Sequence, residues 1–158
     1  MNRFLFFVLL GMLGVGEIAC HTPNNKPVTT NFDEAAFIDW FNSFNPQWSE
    51  AVRNKNPRYI IDRYAEDAII GAPDKPFVIG KVAIEAYWQN LVLFMDDFAY
   101  ETQYIGGDPE DILFENGRAF VTYTLEGRQQ TDTTKYLFVW QHIGNREYRV
   151  LSEMFNAK

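Results

Sequence analysis

The sequence has few of the residues that usually form disulfides, bind metals or contact nucleic acids. Its 158 residues include one cysteine, Cys20, and two histidines, His21 and His142. A single cysteine excludes a disulfide within the chain, and so few nitrogen and sulfur ligands argue against a zinc or iron site. Lysine and arginine total 14 against 21 aspartates and glutamates, a formal net charge of −7. We therefore expect no nucleic-acid partner, because phosphate binding needs a basic face.

Apolar and aromatic side chains, by contrast, are abundant. Hydrophobic residues make up 47% of the chain and aromatic residues 16%. This composition can fill the core of one domain without help from a metal or a disulfide. The sequence contains no glycine-rich phosphate loop and no serine nucleophile motif. We therefore expect no metal and no cofactor.

The first twenty residues have the layout of a secretion signal. Residues 1–3 supply a basic start, and residues 4–13 form an apolar run that is too short to span a bilayer as a mature helix. Small residues then lead to Cys20. This arrangement resembles a bacterial lipoprotein site, at which the thiol is acylated, although Glu17 stands where a leucine is usual. Ordinary cleavage that leaves a spare thiol is the alternative.

The predicted domain organisation follows from this signal. Residues 1–20 are expected to be the signal peptide. Residues 21–30 contain two prolines and no apolar periodicity, and are expected to be a flexible tether. Residues 31–158 are expected to form the folded domain. We expect export to the bacterial cell envelope, with membrane contact only through a lipid anchor on Cys20.

Apolar residues at helical spacing predict three or four helices in the first half of the domain. Asn31 is the expected cap of the first helix, Pro46 either ends that helix or opens the second, and Pro57 opens the third. The third helix is expected to include Tyr64. A short strand over residues 68–70 separates it from the fourth helix.

The second half of the domain changes to alternating apolar residues, which is typical of strands. Alternate residues from Phe98 to Tyr104 are expected to share one face. Asn116 and Gly117 form a strong hairpin signal, and residues 144–146 form a second turn. Helices followed by strands predict an α+β fold, with the helices packed on one face of a strongly curved antiparallel sheet.

Three segments carry a resemblance to a known family. They are "RYAEDAIIGAP" at residues 63–73, "GKVAIEAYW" at residues 80–88 and "YRVLSEMF" at residues 148–155. In this order and spacing they resemble the NTF2-like superfamily, specifically its SnoaL-like and DUF4440-like members, over about residues 32–156. The resemblance implies a cone-shaped domain with an apolar pocket, which often dimerises through the outer face of its sheet. Members of this superfamily include isomerases, cyclases, dehydratases and proteins that only bind.

The resemblance to ketosteroid isomerases within this superfamily implies that their chemistry is absent here. Those enzymes place a base just before the proline of the helix–strand junction, and this position is Ala72. Their tyrosine donor falls on Trp48, and their acid falls near Tyr136. Alanine cannot accept a proton, and an indole N–H only donates. Ala72 is instead expected against the cavity wall.

Three residues remain as catalytic candidates: Glu153, Tyr136 and His142. A two- or four-residue loop in the last hairpin puts Glu153 on the face of Tyr136, as a donor–acceptor pair within an aromatic pocket, and a three-residue loop puts it on the other face. The alternative for Glu153 is a surface carboxylate paired with Lys135 or Arg149. Histidine is the usual proton carrier near neutral pH, which makes His142 a candidate, yet it also fits a solvated position at a strand end.

The abundant aromatic residues either line a binding cavity or fill the core. The predicted ligand-binding residues are Trp48, Tyr64, Trp88, Val121, Tyr123, Phe138, Trp140 and Phe155. The expected function is binding of a small apolar molecule, and the alternative is a cofactor-free acid–base enzyme of the isomerase, dehydratase or cyclase type. The last two strands are apolar on both faces, which predicts a homodimer that covers the outer face.

Overall fold

The computed structural model describes residues 32–156, which form four helices and six strands. Three helices come first, two strands precede the fourth helix, and four strands follow it. The predicted signal peptide, the tether, Cys20 and the predicted cap Asn31 lie outside the described residues. The four helices are α1 (Glu34–Asn42), α2 (Asn45–Arg53), α3 (Arg58–Ile61) and α4 (Lys81–Leu91). Within the described part of the chain, no helix is long and apolar enough to span a bilayer.

Local sequence explains where the helices begin. The side chain of Asp33 caps α1 by accepting a hydrogen bond from the backbone N–H of Ala36 at 3.0 Å. Pro46 lies in the first turn of α2, where its missing N–H is not needed. Before α3, the Asn56 side chain accepts from the backbone N–H of Arg58 at 3.3 Å. The prolines therefore mark the second and third helices as predicted.

The six strands form one sheet in the order β2-β1-β6-β5-β4-β3. Their bounds are β1 (Tyr64–Gly71), β2 (Val78–Ile79), β3 (Asp97–Gly107), β4 (Ile112–Leu125), β5 (Arg128–Gly144) and β6 (Glu147–Phe155). All neighbours pair antiparallel except β1 and β6, which are parallel. The predicted α+β class with helices on a curved sheet is confirmed, but the sheet is mixed rather than purely antiparallel.

The helices cover one face of this sheet. α1 and α2 lie against β3, and α4 lies against β1. Large side chains that are almost fully buried fill the space between the two layers: Trp88, Tyr64, Phe138, Ile60, Ile70, Ile84 and Leu113. Tyr64 was predicted to lie on the third helix, and this was wrong. α3 ends at Ile61, and Tyr64 is the first residue of β1.

The predicted hairpin at Asn116 and Gly117 was also wrong. Both residues lie inside the continuous strand β4, and the turn comes at Glu126 and Gly127, which both have positive φ. Gly117 is required for a different reason. A Cβ atom there would lie 2.0 Å from the Glu101 carbonyl oxygen and 2.7 Å from the Tyr136 hydroxyl oxygen. Glycine at this position therefore allows close packing and does not form a turn.

One face of β3 differs from the predicted alternation. Phe98, Tyr100 and Thr102 are buried as a row, but Tyr104 is 66% exposed. The pairing of β3 with β4 shifts by one residue between Thr102 and Tyr104. Because an extra residue exchanges the two faces of a strand, this bulge turns Tyr104 outward and Ile105 inward.

The last hairpin determines the face on which Glu153 lies. Gly144 pairs with Glu147 across a two-residue loop, Asn145 and Arg146, and both loop residues have positive φ as a type I′ turn requires. The register shifts twice further along the hairpin, and the second shift restores the original parity. Glu153 consequently pairs with Phe138, on the buried face.

Candidate functional site

A cavity of about 240 Å³ lies between α4 and the covered face of strands β3 to β6. The residues that line it are Tyr87, Trp88, Leu91, Met95, Phe98, Tyr100, Ala119, Val121, Asp132, Thr134, Tyr136, Glu153 and Phe155. Its walls are mostly aromatic and aliphatic, and its two ionisable acids are Asp132 and Glu153. Among the described residues that line it, none is a lysine, an arginine or a histidine.

Glu153 is the buried polar group of this cavity, with only 4% of its surface exposed. Tyr64, at the start of β1, donates its hydroxyl to Oε2 of Glu153. Tyr100, on β3, donates to Oε1 at 3.1 Å. The indole N–H of Trp88, on α4, donates to the Tyr64 hydroxyl oxygen at 3.1 Å. Two strands and a helix therefore hold the carboxyl group in place.

Burial raises the pKa of Glu153 to about 7, because removing a carboxylate from water disfavours its charged form. The hydrogen bonds from Tyr64 and Tyr100 oppose this rise, and the charge of Glu115 adds to it. Near neutral pH both the ionised and the protonated form of the carboxyl are therefore accessible. In its two protonation states it can accept a proton or donate a hydrogen bond within the cavity.

Glu115, on β4, is a second buried carboxyl group that the sequence analysis did not single out. Its Oε1 accepts from Thr102 and from Tyr136, each at 2.6 Å, and its Oε2 accepts from the Trp140 indole N–H at 2.8 Å. Burial raises its pKa as well, and these three hydrogen bonds oppose the rise. Glu115 is not among the residues that line the cavity, and it acts there through Tyr136 and through the effect of its charge on the pKa of Glu153.

The predicted pairing of Glu153 with Tyr136 was wrong. Both side chains line the cavity, but the Tyr136 hydroxyl donates to Glu115 and not to Glu153. The partners of Glu153 are Tyr64 and Tyr100. The rings of Tyr100 and Tyr136 contact each other edge to face, with centroids 4.7 Å apart. The two carboxyl groups thus accept hydrogen bonds from tyrosines whose rings contact each other.

His142 lies outside this cavity. It faces a separate surface groove of about 440 Å³ with Trp40, Tyr148 and Arg146. Its Nδ1 is 3.3 Å from the Glu110 carbonyl oxygen, and its ring packs against Tyr148. The structure therefore separates His142 from Glu153 and Tyr136, and the three predicted catalytic residues do not form one site.

The predicted ligand-binding residues divide into three groups. Trp88, Val121 and Phe155 line the cavity. Tyr64 reaches the site only through its hydrogen bond to Glu153. The remaining four do not line it: Trp48, Phe138 and Trp140 are core residues, and Tyr123 is half-buried with its hydroxyl 3.0 Å from Asp132.

Two further details concern Ala72 and metals. Ala72 follows the end of β1 and is not among the cavity-lining residues, so its expected place on the wall was wrong. Within residues 32–156, no three histidine, cysteine, aspartate or glutamate side chains lie together as a metal site would require.

Solved structures with the same architecture identify the fold, although no family model and no curated protein matches the sequence. A ketosteroid isomerase-like protein from Erwinia carotovora atroseptica has a TM-score of 0.62 and 16% identity, covering 78% of this chain and 96% of that one. An NTF2-like protein of unknown function from Pseudomonas putida has a TM-score of 0.58 and 18% identity, covering 78% of this chain and 88% of that one. An NTF2-like protein with a cystatin-like fold from Novosphingobium aromaticivorans has a TM-score of 0.56 and 11% identity, covering 77% of this chain and 85% of that one. At these identities the likeness shows the fold, and the fold is NTF2-like.

Proposed function

We propose that this chain is an exported protein of SnoaL-like or DUF4440-like type that binds a small, largely apolar molecule in the cavity of its NTF2-like cone. The observation that carries this proposal is an aromatic cavity with one buried, hydrogen-bonded carboxyl group, Glu153. Ligand pockets typically combine apolar walls with a few fixed polar groups. A volume of about 240 Å³ lies just below the usual range of roughly 300 to 1,000 Å³ and therefore favours a small ligand.

Incubation with a lipid and metabolite library, followed by native mass spectrometry, tests this proposal. The full chain should retain one chemical class of small apolar compounds. The control is Val121→Trp, which places a large side chain on the cavity wall, and this variant should lose the same compounds. Equal retention by the two proteins would place the ligand elsewhere and contradict the proposal.

A cofactor-free acid–base enzyme is the second candidate, and the pKa of Glu153 favours it. A general base or acid works best when its pKa is near the working pH, and the pKa of Glu153 is raised to about 7. Against catalysis, the hydroxyls of Tyr100 and Tyr136 already donate to carboxyl groups, so neither serves as a ready donor to a substrate oxygen.

Chemical turnover distinguishes the two candidates. Each retained compound is incubated with the wild-type chain and followed by NMR for isomerisation, dehydration or exchange of carbon-bound protons for deuterium. A binding protein leaves the compound unchanged. An enzyme changes it, and Glu153→Gln removes that activity because an amide cannot take up the proton.

The same proposal includes a homodimer and an envelope location. Ile69, Phe114 and Met154 are exposed, and the strand register places them with Leu137 and Val139 on the outer face of the sheet. A second copy would cover this apolar surface. Light scattering should give twice the monomer mass, and Met154→Lys should reduce it. For the location, labelled fatty acid should be incorporated into the wild-type chain but not into Cys20→Ser.

A further inference from the structure

We propose that the ligand of the cavity is a small apolar amine, bound as its ammonium ion with Glu153 as the counter-charge. This inference rests on the proposed function, because it names the chemical class of the molecule that the same cavity takes. It deepens that function from a general apolar ligand to a cationic one.

The charges around the cavity carry the inference. Its lining includes two carboxyl groups, Asp132 and Glu153, and none of its described lining residues is basic. A carboxylate or phosphate ligand would bring a second negative charge beside Glu153, and the described lining residues supply no cation to offset it, which is unfavourable at low dielectric. A neutral or positively charged ligand does not meet this cost.

When it is ionised, Glu153 offers the cavity acceptor capacity. Each carboxylate oxygen of Glu153 accepts one tyrosine hydrogen bond, so lone pairs remain for a ligand N–H. The hydroxyls of Tyr100 and Tyr136 are donated to Glu153 and Glu115. An ammonium group has only donors, and therefore complements the ionised carboxyl of Glu153 better than a carbonyl or an ether does.

The walls also suit a cation that carries an apolar body. Six aromatic side chains line the cavity: Tyr87, Trp88, Phe98, Tyr100, Tyr136 and Phe155. Aromatic faces attract cations, and they do so more strongly when the cation is shielded from water. The apolar part of the ligand would pack against the same rings.

The groups around Glu153 give this binding a defined pH dependence. Glu153 interacts with, or shares the cavity wall with, titratable groups from five elements: Tyr64 on β1, Tyr87 on α4, Tyr100 on β3, Glu115 on β4, and Asp132 and Tyr136 on β5. None of these groups is a cation. An ammonium ion would therefore be the cation that stabilises ionised Glu153 and lowers its pKa, so that binding below neutral pH releases a proton.

Three probes of similar size and different charge test the inference: phenethylamine, phenethyl alcohol and phenylacetate. Their Kd values for the full chain are measured by calorimetry at pH 6 and pH 8. We expect the amine to bind at least about tenfold more tightly than the alcohol at pH 8, with a smaller preference at pH 6, and phenylacetate to bind most weakly. In buffers of different ionisation enthalpy, amine binding at pH 6 should show proton release.

Glu153→Gln should abolish the preference for the amine over the alcohol. The matched control is Glu147→Gln, which removes an exposed carboxylate at the other end of the same strand and should change neither affinity. If the alcohol binds as well as the amine, the inference is wrong and the proposed function stands. If none of the three probes binds at millimolar concentration, the inference is wrong, and the proposed function fails with it only if the library screen also retains no compound.

Discussion

Replacing Glu153 with glutamine should change how the stability of the fold depends on pH. In the unfolded chain this carboxyl ionises near its ordinary pKa of 4.5, and in the folded protein its pKa is about 7. Between these values the folded state binds more protons than the unfolded state. The free energy of unfolding therefore falls as pH rises through this window, and the loss is nearly complete by pH 8.

The expected magnitude follows from the size of the pKa change. A difference of one in pKa is worth about 1.4 kcal/mol, so a rise from 4.5 to about 7 corresponds to roughly 3 kcal/mol in total. Glutamine is nearly isosteric and cannot ionise, so the variant lacks this loss. Between pH 5 and pH 8, the stability of Glu153→Gln relative to wild type should therefore increase by about 2 to 3 kcal/mol.

Urea unfolding followed by tryptophan fluorescence measures this difference at each pH. The contribution of Glu115 is present in both proteins and largely cancels. Glu147→Gln is the control, and its stability should follow the wild-type pH dependence because Glu147 is exposed. If the curves of wild type and Glu153→Gln run parallel from pH 5 to pH 8, Glu153 does not ionise as a buried group and the reasoning is refuted.

Three further substitutions test individual contacts. Tyr100→Phe removes a hydrogen bond that lowers the pKa of Glu153. A carbon NMR titration should therefore show a higher pKa for Glu153 in this variant, and an unchanged or lower pKa would contradict the contact. Trp140→Phe removes one donor to buried Glu115 and should lower the free energy of unfolding by about 1 to 3 kcal/mol, and no loss in urea unfolding would mean that water replaces the indole. Gly117→Ala should lower the free energy of unfolding by about 3 kcal/mol or prevent folding, because the added Cβ would lie 2.0 Å from a backbone carbonyl oxygen. A variant as stable as wild type would show that β4 can move away from this carbonyl.

Patterns within a few residues made much of the architecture predictable. Pro46 and Pro57 mark the starts of two helices, and the periodicity after Gly80 marks α4. The change from helical to alternating spacing gave the α+β class. These features depend on local backbone preferences, which a short stretch of sequence carries by itself.

Contacts between distant segments explain what could not be predicted. Gly117 has the local signature of a turn, but its role comes from close packing against β3 and Tyr136. Tyr64 and Glu153 are 89 residues apart, and their hydrogen bond depends on the parallel pairing of β1 with β6. Nothing in the local pattern indicates that pairing.

Glu115 was missed for a related reason. Its three donors come from β3 and β5, and the assumed turn at residues 116–117 hid its inward position on a continuous strand. The choice of Glu115 over Glu153 as the partner of Tyr136 depends on which side chains the curved sheet brings together. One signal was available: Glu115 lies two residues after Leu113 and four before Ala119, and therefore on the same face of the strand as these apolar residues.

The most direct test of the site is a titration of the Glu153 carboxyl carbon by NMR, with and without the compound that the library screen retains. The full chain is labelled at glutamate side-chain carboxyls, and Glu153→Gln assigns the resonance. We expect the free protein to give a pKa near 7, and the bound compound to shift both the resonance and its pKa. A carboxyl that titrates near 4.5 and does not respond to the compound would show that Glu153 and its cavity are not the functional site.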